Sequence, residues 1–446
     1  MALFTAGYLA AYLLPTVVGR LADSLRLSPT QAGLAGSALL LSSATAGFTL
    51  ASRVERVGAR RAARAGLLLA AVGYGTAALS ASIPLVVAGA MLGGFGSGTA
   101  TAVAATGIAA QKDPHRASTL GLLTVSALAG ALYLTIPRIS PSGHALPFAA
   151  LAVTALAVWP ATNRLSDPAG PDNSAAPAPK SPLPYARSGL VLATVIVCWS
   201  MAQNSLWGVS SRIGTDQAGL SEVAVGSVFA VALGAGLLGV IGAGALGARL
   251  GRALPIGAGT TAIACCIALS ARADGLATFA TGEIAWNTLY PVVLSYLLGL
   301  AASLDPRGRW AVLVGSASSL GTACGPLVGS SLSQSVGFPT MGAALAAALL
   351  LLAVPLTGVA LHTGGRPLFA AAARRRSGAP VGAFVPPTAV PEQPVVEIEV
   401  PAGELGPVQA EFTTPEEAPL PVQEPVQEPA REPVQPSKSY ASTSAR

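Results

Sequence analysis

The sequence predicts an all-α membrane protein with twelve transmembrane helices in two pseudo-symmetric six-helix halves, on three observations. Of 446 residues, 52% are hydrophobic and only 10% charged, and the mean hydropathy is +0.60. Length alone would suggest about three soluble domains at roughly 150 residues each, but so few charges cannot cover three water-facing surfaces. The second observation is a series of twelve apolar segments. The third is a charged loop in the first half that has a weaker echo in the second.

Inside hydrocarbon every backbone polar group needs an internal partner, so apolar segments of ~20 residues are helices long enough to cross a ~30 Å core. Period-2 barrel alternation is absent. The segments fall at 2–19, 30–51, 62–80, 83–108, 117–137, 144–161, 188–209, 223–246, 253–271, 274–300, 310–332 and 338–361. The first lacks the basic n-region of a signal peptide and runs directly into a multi-span pattern, so it is expected to be a retained helix.

After the sixth segment comes "DPAGPDNSAAPAPKSPLPYARSG", too polar to insert and too rich in proline to fold, which reads as a linker. After the twelfth, "AAARRRSG" opens a tail containing "PVQEPVQEPAREPVQP", acidic and extended, with almost no core-forming residues. The expected organisation is a first half over 1–166, a cytoplasmic linker over 167–187, a second half over 188–362 and a disordered Pro/Glu-rich tail over 363–446. The formal charge of +6 is a difference between a basic body and this tail, where ten of the twenty acidic residues lie between Glu392 and Glu432. The high pI therefore carries no message about nucleic acid. With the N-terminus inside, cytoplasmic connections receive most of the Lys and Arg. The other side receives only Arg20, Arg26, Arg138, Arg212 and Arg272. The positive-inside rule then puts both termini in the cytoplasm, and the expected location is the plasma membrane.

Cys198, Cys265, Cys266 and Cys324 all fall inside apolar segments, and the vicinal pair has no metal-ligand spacing. The three histidines are scattered among loops and segment ends. No metal, cofactor or catalytic set follows, and an enzyme is not expected. "GGFGSG" lacks a P-loop lysine and sits in a membrane segment. Gly89/Gly93, Gly94/Gly98 and Gly321/Gly325/Gly329 read instead as small-xxx-small packing surfaces.

"SRVERVGARRAAR", residues 52–64, carries six charges in thirteen positions. Its frame, "ASRVERVGARR" at 51–61, aligns with "GALGARLGR" at 244–252, each between the second and third helices of its half. An internal repeat of this kind points to a two-halved transporter. The loop resembles the Gly-x-x-x-Asp-Arg-x-Gly-Arg-Arg signature of the major facilitator superfamily. Ala51 stands for the first Gly and Glu55 for the Asp, Arg56 and Gly58 match, Ala59 replaces the next Arg, and Arg60-Arg61 restore the charge. Gly58 allows a sharp turn, and Glu55 can pair with an Arg or cap a helix N-terminus. The resemblance implies a cytoplasmic gate of Glu55, Arg56, Gly58, Arg60 and Arg61, with Arg249, Gly251 and Arg252 as the second copy. That copy has Ala248 at the acid position, which implies a weaker gate. Topology alone would need the charges but not the Gly and the acid at these offsets.

Glu283 is the acidic residue that no loop accommodates. It lies about nine residues into the tenth segment, roughly 13 Å deep at 1.5 Å per residue. A charge there costs about 3 kcal/mol and so faces a cavity or a partner. Phe279, Glu283, Trp286, Asn287 and Tyr290 share one helical stripe, closed by Pro291. The seventh segment offers Ser200, Gln203, Asn204 and Trp207, the first Thr5, Tyr8 and Tyr12, and the fourth Ser97 and Thr101. The resemblance implies a central cavity lined by helices 1, 4, 7 and 10, which places a substrate against these faces and makes Glu283 the candidate for proton coupling. Two departures weigh on antiport. The helix 4 arginine of many drug/proton antiporters is absent, with Ala90 in its place, and the helix 5 Gly-Pro motif is missing; a Gly325-Pro326 pair occurs in the eleventh segment instead.

The expectation is a monomeric secondary transporter moving a small organic solute by alternating access, with protons and the lipid bilayer as its other partners and efflux as the direction. It resembles drug and metabolite exporters. Proton-linked uptake of a sugar or organic acid is the alternative, followed by a transport-inactive membrane sensor working through the tail.

Overall fold

The computed structural model describes residues 1–50, 57–111, 113–139, 143–165, 183–246, 250–305 and 307–364. Among them there is no strand, and each expected apolar segment is helical. The first span is two helices, Ala2–Tyr12 and Leu14–Ser24, bent by 48° at Leu13. Pro29–Leu50, Ala59–Leu79, Ile83–Ala109, Pro114–Ile139 and Ala145–Val158 are the second to sixth, the last extended by a 3-10 turn, Trp159–Arg164. The seventh to tenth are Ala186–Arg212, Glu222–Leu246, Ala253–Ser270 and Leu276–Leu304. The 56-residue helix Arg309–Gly364 breaks at Gly337, where φ is 77°, and its two arms are the eleventh and twelfth spans. Among the described residues ten helices are long and apolar enough to cross a bilayer, and counting the bent pair and both arms of the break brings the spans to twelve.

Local sequence sets the ends. Proline opens the second and fifth spans and sits within the first two positions of the fourth, where its missing N–H is not needed. Gly58 and Gly251, aligned by the repeat, take φ of 91° and 68° just before the third and ninth spans, a backbone that a side chain would strain. Ala51 to Arg56 and Gly247 to Arg249 lie outside the described residues, as do most of the expected linker and nearly all of the tail.

The same pairings recur in both halves. The second span packs on the fourth and the eighth on the tenth, while the third lies against the fourth and sixth as the ninth does against the tenth and twelfth. Glycines set the separations. A Cβ on Gly98 would stand 2.1 Å from the Ser43 carbonyl oxygen, and one on Gly94 2.3 Å from that of Leu39. A Cβ on Gly321 would lie 2.1 Å from the Val197 carbonyl, and one on Gly329 2.1 Å from that of Ser205, so the eleventh span sits backbone to backbone on the seventh. Large apolar side chains such as Leu238, Leu351 and Val354 point outward, where only lipid tails would suit them.

The halves meet along the second and eleventh spans and along the fifth and eighth. Here too the approach is close, since a Cβ on Gly33 would fall 2.5 Å from the Pro326 carbonyl oxygen.

Gly98→Ala is expected to destabilise the purified protein by about 2 kcal/mol or more through overpacking. Gly107→Ala, at a position facing open space, should leave the melting midpoint unchanged or raised. Equal midpoints for the two variants would refute the packing role.

Candidate functional site

The site begins at a missing donor. Pro15 has no N–H, so the Ala11 carbonyl loses its partner one turn on. Trp207 Nε1, from the seventh span, donates to that carbonyl at 3.2 Å. The Tyr133 hydroxyl, from the fifth, donates to the carbonyl of Tyr12 at 2.5 Å. The bend in the first span is thus held by an aromatic from each half, near mid-depth.

Beside the bend lies a cavity between the halves, with about 720 Å³ of space unfilled by protein atoms, its open mouth included. Ala11 and Tyr12 of the first span, Leu122 and Ser126 of the fifth, and Asn204 and Trp207 of the seventh line one side. Leu233, Gly236, Leu237 and Val240 of the eighth face them, with Trp286, Asn287, Tyr290 and Pro291 of the tenth. The rings form a continuous run. Trp199 stacks on Tyr290 at 5.4 Å, Tyr290 on Trp286 at 5.6 Å, and Trp286 meets Trp207 at 5.6 Å.

Six of the residues picked out by sequence line this cavity: Tyr12, Asn204, Trp207, Trp286, Asn287 and Tyr290. Gln203 sits behind it, its Oε1 accepting from Trp286 Nε1 at 2.5 Å. Ser200 faces the eleventh span, bonded to Ser318 at 2.7 Å. Thr5 bonds Thr124 of the fifth span at 2.9 Å, and Tyr8 is buried against Phe4. Phe279 packs on Phe229 and does not line the cavity. The fourth span does not reach the cavity. Ser97 bonds Tyr74 at 2.8 Å, and Gly7 brings the first span so close that a Cβ there would be 2.2 Å from Thr101 Oγ1. The fifth and eighth spans stand in its place. Their contribution is mostly aliphatic and glycine, so no polar stripe marked them in the sequence.

Glu283 is fully buried but does not line the cavity. Its Oε1 accepts from Ser210 at 2.8 Å and Ser270 at 2.6 Å, while Oε2 has no partner. One helical turn separates it from Trp286, so the Trp207–Trp286 contact lies between carboxyl and cavity.

Beyond Glu283 the halves are tied together at the end of the bundle that carries Arg20. Arg20 is buried and pairs with Glu222 across the halves at 2.7 Å, and its Nη1 donates to the Gly143 carbonyl at 3.1 Å. Thr30 donates through its hydroxyl to Gln334 Oε1 at 2.6 Å, and the Leu327 N–H to Ser37 at 3.0 Å. Arg212 pairs with Asp216 at 3.1 Å and lies over the Phe338 ring. Sequence reading took Arg20 and Arg212 only as topology markers. Glu222 and Phe338 lie on other spans, where local spacing cannot reveal them, whereas Asp216 stands at i+4 from Arg212 and was legible.

At the other end, where Met1 lies, Glu55, Arg56 and Arg249 are outside the described residues. Arg60 donates to the Leu165 carbonyl at 2.8 Å and Arg64 to Asn163 at 2.6 Å, tying the third span to the sixth. Arg252 bonds Ser303 at 2.5 Å within the second half. Arg61 is exposed, and Gly251 makes its positive-φ turn beside Arg252. Arg60 and Arg252 of the expected gate thus brace each half internally.

The profile of the Major Facilitator Superfamily matches residues 1–304. No match is found among curated proteins. Among solved structures, the human organic anion transporter MFSD10 (TETRAN) is similar with a TM-score of 0.55 at 18% identity, over 80% of this chain and 98% of that one. A bacterial homologue of the human lysosomal transporter Spinster, in an inward-facing, unoccupied conformation, gives 0.56 at 17%, over 80% and 92%. These likenesses are of fold.

If Arg20–Glu222 keeps its end shut, Arg20→Gln should open it. With the native cysteines replaced, a Ser211→Cys reporter in the adjoining pocket is expected to react several-fold faster with a membrane-impermeant maleimide. An unchanged rate would show that the pair does not hold that end.

Proposed function

Because the chain belongs to the Major Facilitator Superfamily, a superfamily of membrane transporters, we propose that it exports a small amphipathic organic solute across the plasma membrane in exchange for protons, as a monomer. The observation that carries this reading is the central cavity between the halves, walled by aromatic rings, with a buried carboxyl directly behind its Trp207–Trp286 ceiling. The arginine distribution supports cytoplasmic termini. On that orientation the end closed by Arg20–Glu222 is extracellular, which leaves the cytoplasmic side as the route by which an exporter would load its substrate.

Glu283 is the proton carrier in this scheme. Its Oε2, without a partner, is the atom that would take the proton. The two serine hydroxyls on Oε1 hold the group in place in either state. For the proton to pass between Glu283 and the cavity, the Trp207–Trp286 contact must part, which would couple that transfer to the motion that empties the cavity. Uptake of an organic acid is the second reading, and one structural relative is an organic anion transporter. Against it, the described residues lining the cavity include no Lys or Arg.

In proteoliposomes holding a panel of small amphipathic solutes, an imposed pH gradient should drive transport by the native chain. Glu283→Gln should lose the gradient-driven component and retain exchange at equilibrium. Undiminished proton coupling in the variant would remove Glu283 from the scheme.

A further inference from the structure

The cavity's polar groups are not a balanced set, and their imbalance specifies a charge. Of the N–H donors on the four side chains that carry them, all but one N–H of Asn287 are engaged elsewhere. Trp286 Nε1 is bound to Gln203 and Trp207 Nε1 to the Ala11 carbonyl. Asn287 donates through Nδ2 to the Glu283 carbonyl at 3.0 Å. Asn204 does the same, with Nδ2 on the Ser200 carbonyl at 2.9 Å and on Thr322 Oγ1 at 3.2 Å. What these residues offer a guest is the faces of the indoles and the oxygens of the amides. Both are electron-rich: a ring face carries the negative side of the aromatic quadrupole, and an amide oxygen only accepts. Tyr12 adds another ring, while that of Tyr290 is stacked on Trp199 and Trp286. Their hydroxyls and that of Ser126 can donate or accept, and so tip the balance neither way. No Lys, Arg, Asp or Glu stands among the described lining residues to offset this or to satisfy an anion.

We propose that the cavity selects a flat aromatic solute bearing an ammonium or amine donor, held with its ring against the Trp207–Trp286–Tyr290 run and its N–H groups toward the Asn204 and Asn287 amide oxygens. An ammonium is attracted to ring faces and to carbonyl oxygens alike. A carboxylate of the same size would meet ring faces and acceptor oxygens, with only hydroxyls and one Asn287 N–H to donate to it and no cation, and would lose its water with little compensation. The inference rests on the transporter reading for its biological use, but the charge preference follows from the cavity itself.

The test uses one ring system in three charge states: 2-naphthylmethylammonium, 2-naphthylmethanol and 2-naphthoate. Binding to the full-length purified protein is followed by quenching of tryptophan fluorescence, and flux is followed separately in proteoliposomes. The ammonium is expected to bind at least tenfold more tightly than the alcohol, with the carboxylate weakest. Asn287→Leu should weaken the ammonium about fivefold and leave the alcohol unchanged, so retained alcohol binding certifies the fold of the variant. Carboxylate binding equal to or tighter than that of the ammonium, or no binding by any of the three, would overturn the proposal. Ammonium binding without flux would uphold the charge preference and overturn the transport reading instead.

Discussion

One absent N–H organises the centre of this molecule. In hydrocarbon a backbone carbonyl without a donor costs several kcal/mol, and Pro15 leaves the Ala11 carbonyl in that position. The chain answers by bending the first span and bringing in two side chains, Trp207 for Ala11 and Tyr133 for Tyr12. Trp207 belongs to the other half, so repair of a local defect becomes a link between halves. Once Trp207 is fixed, Trp286 packs on it and Gln203 fixes Trp286 in turn. The ceiling of the cavity and the seclusion of Glu283 follow from that chain of contacts.

Nearly all of the fold was legible in the sequence, because the bilayer imposes one simple rule on every span. The twelve apolar segments and the observed helices agree to within a few residues. The repeat was legible too, down to Gly58 and Gly251, which share a positive φ although one copy has lost its acid. The bend in the first span had its signal in Pro15 and went unread, since a proline in an apolar run is compatible with a straight span.

The site was legible in angle but not in depth. Helical periodicity puts Glu283 and Tyr290 on nearly the same face of the tenth span. It could not say that an indole contact would divide that face into a cavity-lining part and a secluded part. The fourth span failed for a different reason: the glycine at position 7 admits the first span so closely that Ser97 and Thr101 face neighbouring helices. Position 7 carries no polar atom in its side chain, and only its packing explains the outcome. The Arg20–Glu222 pair joins residues about two hundred positions apart, beyond any local pattern.

The glycine seams also say something about stiffness. Where backbones touch with no side chain between them, as at Gly98 on Ser43 or Gly329 on Ser205, two helices cannot slide without separating first. Such seams within each half make it a solid block with little mechanical compliance. The boundary between the blocks carries the same close approaches, at Gly33 on Pro326 and Gly226 on Tyr133, so the blocks too must part rather than slide, and Trp207 and Arg20 are fasteners that such a parting breaks.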